Sequence, residues 1–254
     1  MTFGTELRQG TALIVGASQG IGLGFVQHLL GDRRLERIFA TYRDPHRAGE
    51  LLSLQTHPQL HCLPLDATQE TAIAAVAAHI QAQTTALDLV INCVGVLHSD
   101  DLQPEKSLRQ IDADRLLHYF QVNSIPSVLL AKHLQPLLKA SDRSVFATLS
   151  AKIGSISDNQ LGGWYGYRAS KAALNMFLKT IAIEYSRKNP HTIVVALHPG
   201  TTNTRLSAPF QRNVPPEKLF PVERTVSQLL TVIDGLTEAD NGSFFSWDGH
   251  PIPW

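Results

Sequence analysis

At 254 residues, 43% hydrophobic and 17% charged, the chain has apolar material for one large core and no compositional case for disorder. Lysines plus arginines match aspartates plus glutamates at 22 each, without charge runs, so the sequence offers no basic face for neutralising nucleic-acid phosphates. No apolar stretch approaches the ~20 residues that span a bilayer, and MTFGTELRQG lacks the basic-then-apolar build of a secretory signal, so a cytoplasmic protein with neither a membrane nor a nucleic-acid partner is expected.

In chain order, Thr11–Val15 is a compact apolar run ending in glycines, Ile21–Leu30 has helical spacing, and Arg37–Tyr42 contains the next strand. A helical piece at Leu51–Leu54 precedes a strand near Leu60–Leu65; the alanine-rich Thr71–Gln83 is helical, and Leu87–Cys93 has a buried-strand pattern. Cys62 and Cys93, the two cysteines, lie in such apolar runs and read as buried reduced thiols. Asp112–Leu138 reads as a long helix in which Pro126 either makes a kink or marks the true start, because proline lacks the donor and clashes with the preceding turn. Ser144–Leu149, Tyr167–Ser186 and Thr192–Leu197 give strand, helix and strand again.

Alternation at this spacing predicts an α/β fold of the Rossmann type: one doubly wound parallel sheet with helices on both faces. The whole chain, 1–254, reads as one domain, since no linker divides it. Residues 201–221 are rich in proline and polar side chains, the composition of a loop that covers a substrate, before helical character returns at Val222–Ile233. The tail SFFSWDGHPIPW reads as a strand-like aromatic pair followed by turn residues, packed because Trp247 and Trp254 are expensive to expose.

Two motifs carry chemistry. In TALIVGASQGIGLG, Gly16, Gly20 and Gly22 follow the first strand and enter the first helix, spaced G-x-x-x-G-x-G. Such a turn lets helix N-terminal amides face a pyrophosphate, and the missing Gly-Lys-Ser/Thr ending argues against a Walker-type site. A free ribose 2′-hydroxyl is usually held by a carboxylate at the end of the second strand, and a 2′-phosphate by arginine. Here the strand runs into Ala40-Thr41-Tyr42-Arg43, so Arg43 favours NADP over NAD, with Asp44 immediately after it leaving NAD open.

The second motif is GGWYGYRASKAALN, where Tyr167 and Lys171 are four apart on one helix face; Tyr165 has Ala169 at that spacing instead. Carbonyl reduction needs a proton donor beside the oxygen, and a neighbouring ammonium would draw a phenol from its usual value near 10 toward working pH. Although the chain has 11 histidines, no His-x-x-x-His spacing with an acidic partner occurs, and His191 and His198 flank the sixth strand as packing or surface residues; no metal is expected.

These motifs, in this order, resemble the short-chain dehydrogenase/reductase family over essentially the whole length, and within it the C-factor-like and sniffer-like carbonyl reductases. The resemblance implies about seven strands in the order 3-2-1-4-5-6-7. It also implies a cofactor loop at 16–22 including Ser18, Gln19 and Ile21, with Val15 where a threonine is more usual. Asp66 in LPLDAT looks like the aspartate that meets the adenine, and Asn92-Cys93-Val94-Gly95 resembles the Asn-Asn-Ala-Gly segment. Asn123 in YFQVNS looks like the catalytic helix asparagine, which would hold a water relaying protons from Lys171. Tyr167 and Lys171 resemble the catalytic pair, Lys171 also bonding the nicotinamide ribose, and Pro199-Gly200 with Thr204 the segment closing over the nicotinamide.

One departure matters: LSAKIGSI places Ala151 where the family has its carbonyl-polarising serine. Ser150 comes one residue early and points the other way if the pleat persists. Ser155 follows Gly154; either hydroxyl substitutes, or Tyr167 donates alone. The expected activity is interconversion of a carbonyl compound and an alcohol with NADP(H). The alternative is a low-activity dinucleotide-binding regulatory or cell-signalling protein. Apolar residues in the Tyr167 helix, among them Ala172, Ala173, Met176, Phe177 and Ile181, together with the resemblance, imply a homodimer or homotetramer.

Overall fold

A computed structural model describes residues 10–254; the reading of the leader, and the start of the expected domain, fall on residues 1–9 and lie outside the described residues. Seven strands, β1 (Gly10–Val15), β2 (Leu35–Tyr42), β3 (Leu60–Pro64), β4 (Leu89–Asn92), β5 (Ser144–Leu149), β6 (Thr192–His198) and β7 (Ser243–Ser246), form one parallel sheet. Their order is β3-β2-β1-β4-β5-β6-β7, as the family resemblance implies. The helices are α1 (Gly20–Leu29), α2 (Gly49–Ser53), α3 (Glu70–Gln81), α4 (Ala113–Asn123), α5 (Ile125–Lys139), α6 (Tyr165–Lys188) and α7 (Val222–Gly235).

The strands are apolar almost throughout because both faces are covered. Every residue of β1 and β5 is buried. Alternation along β1 sends Leu13 and Val15 into a core with α3, α5 and α6, and Ala12 and Ile14 into one with α1, α2 and α7. The sheet changes direction between β1 and β4, and the crevice outside their carboxyl ends is where doubly wound folds bind ligands.

The helical stretch read at Asp112–Leu138 is two helices broken at Ser124, whose φ of −118° and ψ of −55° take it out of the regular spiral. Pro126 lies in the first turn of α5, where its missing N–H costs nothing, so it marks a start rather than a kink. The proline-rich segment is an ordered excursion tied at its base: Thr201–Thr202 pair in parallel with Leu219–Phe220, and short 3-10 turns at Ala208–Asn213 and Pro216–Lys218 lie between. The tail folds back, with the Ile252 amide donating to Phe244 O at 2.7 Å and Trp254 stacked on Phe244 at 5.5 Å.

Candidate active site

The glycine loop leaves β1 through Gly16 at φ +79° and enters α1 through Gly20 at φ +57°, left-handed values that favour glycine. A Cβ on Gly22 would collide with the Gly16 carbonyl oxygen, so the loop closes this tightly only with glycine there. Thr41, near the end of β2, holds the loop by accepting the Gly16 amide on Oγ1 at 3.1 Å and the Ala17 amide on its carbonyl at 2.7 Å. Gln19 is extended at the head of α1; among the described residues no side chain caps that end, and its first turn has no acidic residue. The amide end of the helix therefore faces the crevice with its partial positive charge uncompensated, which fits a pyrophosphate over Ser18, Gln19, Gly20 and Ile21. Thr204 closes from the opposite side: its methyl lies 3.4 Å from where a Gly20 side chain would begin. Pro199 and Gly200, the latter at φ +70°, turn the chain from β6 toward Thr204.

Arg43 is exposed immediately after β2. The Asp44 carboxylate is engaged in its own turn, accepting the His46 amide at 2.9 Å and lying 3.7 Å from Arg47. Asp66 accepts the Thr68 amide at 2.9 Å and its hydroxyl at 2.7 Å. Partial burial pushes the Asp66 carboxyl up, but the Thr68 bonds and the Arg43 charge outweigh it and hold the group below its ordinary value. At the end of β4, Asn92 spans two elements, donating to Ser127 Oγ at 2.9 Å and accepting the Val94 amide at 3.1 Å.

Tyr167 and Lys171 occupy the first turns of α6, both buried. Lys171 Nζ donates to the Leu149 carbonyl at 2.9 Å and stands 5.9 Å from the centroid of the Tyr167 ring. A side chain on Gly95 would touch Asn123 Oδ1 and Lys171 Nζ at 3.5 and 3.6 Å, so these groups converge on one point of the crevice. Asn123 reaches it because α4 ends there; its amide accepts from Val96 N at 2.7 Å and donates to Val96 O at 2.9 Å. The break after it is pinned to α6, Ser124 Oγ donating to Ser170 O at 2.7 Å and Asn123 Nδ2 to Ser170 Oγ at 3.0 Å.

Burial pulls Lys171 down to about 8, with the Cys93 thiol opposing weakly, and pushes the Tyr167 phenol up rather than down. The expectation of a phenol acidified by its lysine is not met by the protein alone. The ammonium lies over the ring while desolvation works on the hydroxyl, so Tyr167 is held as a neutral donor.

Of the two serines read as substitutes for Ala151, Ser150 has its proton committed within the fold and Ser155 serves as an acceptor. Ser150 Oγ donates to Asn175 Oδ1 at 2.6 Å, toward α6, and Ser155 Oγ accepts the Asp158 amide at 3.2 Å, closing a turn. Ala151 instead joins an apolar cluster with Leu97, Ile153, Trp164, Tyr167 and Phe210. Phe210, from the 201–221 loop, meets Trp164 at 4.8 Å and His98 at 5.7 Å, and Trp164 meets Tyr167 edge-on at 6.3 Å.

Trp164 and Glu105 escaped the sequence reading. Trp164 has φ 53° and is the only non-glycine among the described residues with positive φ; Gly162 and Gly163 before it are also left-handed. The Gly-Gly-Trp run hinted at a special turn, but a left-handed tryptophan, costing roughly 1–2 kcal/mol, is not legible in composition. Glu105 is buried beneath this turn, 61 residues from its partner Gly166, and no local pattern marks it.

The family model for short chain dehydrogenases matches residues 10–215, and the chain belongs to that oxidoreductase family. An NADPH-bound carbonyl reductase from chicken fatty liver superposes with a TM-score of 0.87 at 32% identity, over 100% of this chain and 97% of that one. The carbonyl reductase Sniffer of D. melanogaster gives 0.86 at 27% identity, over 98% and 100%. C-signal of Myxococcus xanthus is 29% identical over 148 residues, 58% of this chain and 84% of that protein. Among the described residues no helix is long and apolar enough to cross a membrane, and no cluster of three or more His, Cys, Asp or Glu could hold a metal.

Proposed function

We propose that the protein is an NADP(H)-dependent carbonyl reductase in which Tyr167 is the general acid. The observation that carries this is the convergence of Lys171 and Asn123 beside Gly95, with the Lys171 ammonium 5.9 Å from the centroid of the Tyr167 ring, at the carboxyl ends of the strands that also present the glycine loop. When bound, the nicotinamide supplies the hydride. Tyr167, kept neutral by burial, would protonate the alkoxide oxygen as hydride reaches the substrate carbon, and Lys171 would hold the nicotinamide ribose and return a proton to the phenolate. Both polar ends of the Asn123 amide are taken up by Val96, so this residue fixes the floor of the site, and a relay water would bind its main chain.

Gly16, Ser18, Gln19, Gly20, Ile21 and Gly22 cradle the pyrophosphate; Asp66, Asn92 and Gly95 line the adenosine side, and Pro199, Gly200 and Thr204 the nicotinamide. The 201–221 excursion covers the substrate through Phe210. The single domain, cytoplasmic location and homodimer or homotetramer belong to the same reading. Association through α6 agrees with the exposure of Met176 (65%) and Ile183 (49%) there.

Arg43 takes the 2′-phosphate, since Asp44 is committed to its turn. Arg43→Ala should weaken NADPH by about tenfold or more and NADH by under twofold, in line with one lost charge-assisted contact; equal losses in fluorescence titrations remove Arg43 from the phosphate site. The activity itself is tested by NADPH oxidation with purified protein against aldehydes, ketones and quinones. Turnover on at least one class is expected.

A second reading, a dinucleotide-binding regulatory or signalling protein, draws on Ala151 at the serine's place and on the likeness to C-signal. NADPH binding without oxidation across the whole panel would favour it.

A further inference from the structure

We propose that Glu105 is a positioning residue for Tyr167, acting through the first turn of α6 and the left-handed turn that precedes it; its kinetic consequence rests on the reading of Tyr167 as the acid. Glu105 is 2% exposed, in the loop between β4 and α4. Its Oε2 accepts the Gly166 amide at 3.0 Å, and its main-chain oxygen accepts the Trp164 amide at 2.5 Å. One residue thus satisfies two of the amides that the start of a helix leaves without intrahelical partners, and among the described residues no other side chain caps this end.

Tyr167 is the third residue of α6, directly after the amide that Glu105 holds. From the other side Arg168 grips the same turn, its guanidinium donating to Gly163 O at 3.0 Å, Gly162 O at 3.1 Å and Ile153 O at 3.3 Å. The left-handed run Gly162-Gly163-Trp164 is therefore clamped at both ends, and the clamp sets the Trp164 ring against Tyr167 and Phe210. Packing leaves little room for slippage: a Cβ on Gly166 would strike the Tyr119 ring and lie 3.0 Å from Glu105 Oε1.

That second oxygen, Oε1, is buried without a hydrogen-bond partner among the described residues. Burying an unpaired carboxylate oxygen is costly, and a glutamate kept for bulk alone would be better replaced by an apolar side chain. The acceptor function toward Gly166 accounts for its presence. Without it the strained Trp164 is free to relax to negative φ, and the turn carrying Tyr167 frays.

The test uses the full chain and two variants. Glu105→Met keeps the volume and removes the acceptor, whereas Glu105→Gln keeps an acceptor for the Gly166 amide. Amide hydrogen exchange should accelerate by about tenfold or more in the segment spanning 162–170 of the Met variant and stay near wild type in the Gln variant. The kcat for carbonyl reduction should fall by about ten- to a hundredfold in the Met variant, the scale expected when a catalytic group is displaced by an ångström or so, and recover to within about threefold in the Gln variant. NADPH affinity should be unchanged in both. Glu105→Asp, which withdraws the carboxylate by one methylene, should show the same pattern more mildly and serves if the Met variant does not fold. Wild-type exchange at 162–170 in Met and Asp variants overturns the proposal whatever the activity. Faster exchange with kcat unchanged, in a protein whose Tyr167→Phe variant is inactive, overturns the link to Tyr167; an active Tyr167→Phe variant instead removes the assignment of the acid.

Discussion

In the proposed mechanism, the methyl group at position 151 leaves the substrate carbonyl without the hydroxyl that the family places there. Ser150 Oγ donates its proton to Asn175 Oδ1, Ser155 Oγ accepts the Asp158 amide and keeps a proton to donate, and Tyr167 lies in the apolar cluster that Ala151 packs against. A second preorganised donor is commonly worth two to three orders of magnitude where it is native, and a grafted one should recover part of that. Ala151→Ser should raise kcat by about tenfold with NADPH affinity unchanged; no gain in steady-state turnover would mean that the position does not face the carbonyl. Lys171 makes a different test. Burial lowers it to about 8 from an ordinary value near 10.5, so at neutral pH the folded protein carries a buried ammonium. The unfolded chain binds more protons between those values, hence stability rises with pH across about 8 to 10.5. The stability difference between wild type and Lys171→Met should therefore move in favour of wild type over that window in pH-dependent melts; a flat difference contradicts the depressed value.

Among the elements, the β1–loop–α1 unit shows why glycine placement is more than composition. Gly22→Ala has nowhere to put its methyl except against the Gly16 carbonyl, so α1 must shift from β1. A loss of about 1–3 kcal/mol in stability and weaker NADPH binding are expected. Gly49→Ala, with nothing within 4 Å of its Cβ position, should be neutral or slightly stabilising. Equal melting temperatures for the two variants would contradict this account of the loop. The same unit was readable in the sequence, because a strand, three glycines and a helix are contiguous and the pattern is local. Ser124, by contrast, breaks α4 from α5 through a hydroxyl bonded to Ser170, 46 residues away; Pro126 announced a boundary there but not its cause. Glu105 lay wholly outside reach for the same reason, since its partners Trp164 and Gly166 are distant in sequence. Phenol and lysine were found at the right spacing, yet the direction of the phenol's shift depends on how deeply the first turn of α6 is buried, which spacing does not encode.

For the molecule as a whole, the site follows from sheet order. With β1 and β4 adjacent and the connections departing to opposite faces, the glycine loop, the Asn92–Gly95 segment, Ala151 and Pro199–Gly200 all arrive at one edge of the sheet, and α6 lays Tyr167 and Lys171 across it. We propose that the phenol of Tyr167 delivers the proton at that edge. The most direct test is Tyr167→Phe, which removes one oxygen and leaves the ring packed against Trp164 and Tyr119. NADPH affinity should stay within about twofold, while kcat/KM for the best carbonyl substrate falls by two orders of magnitude or more, the range of a lost general acid; turnover equal to wild type would contradict the account.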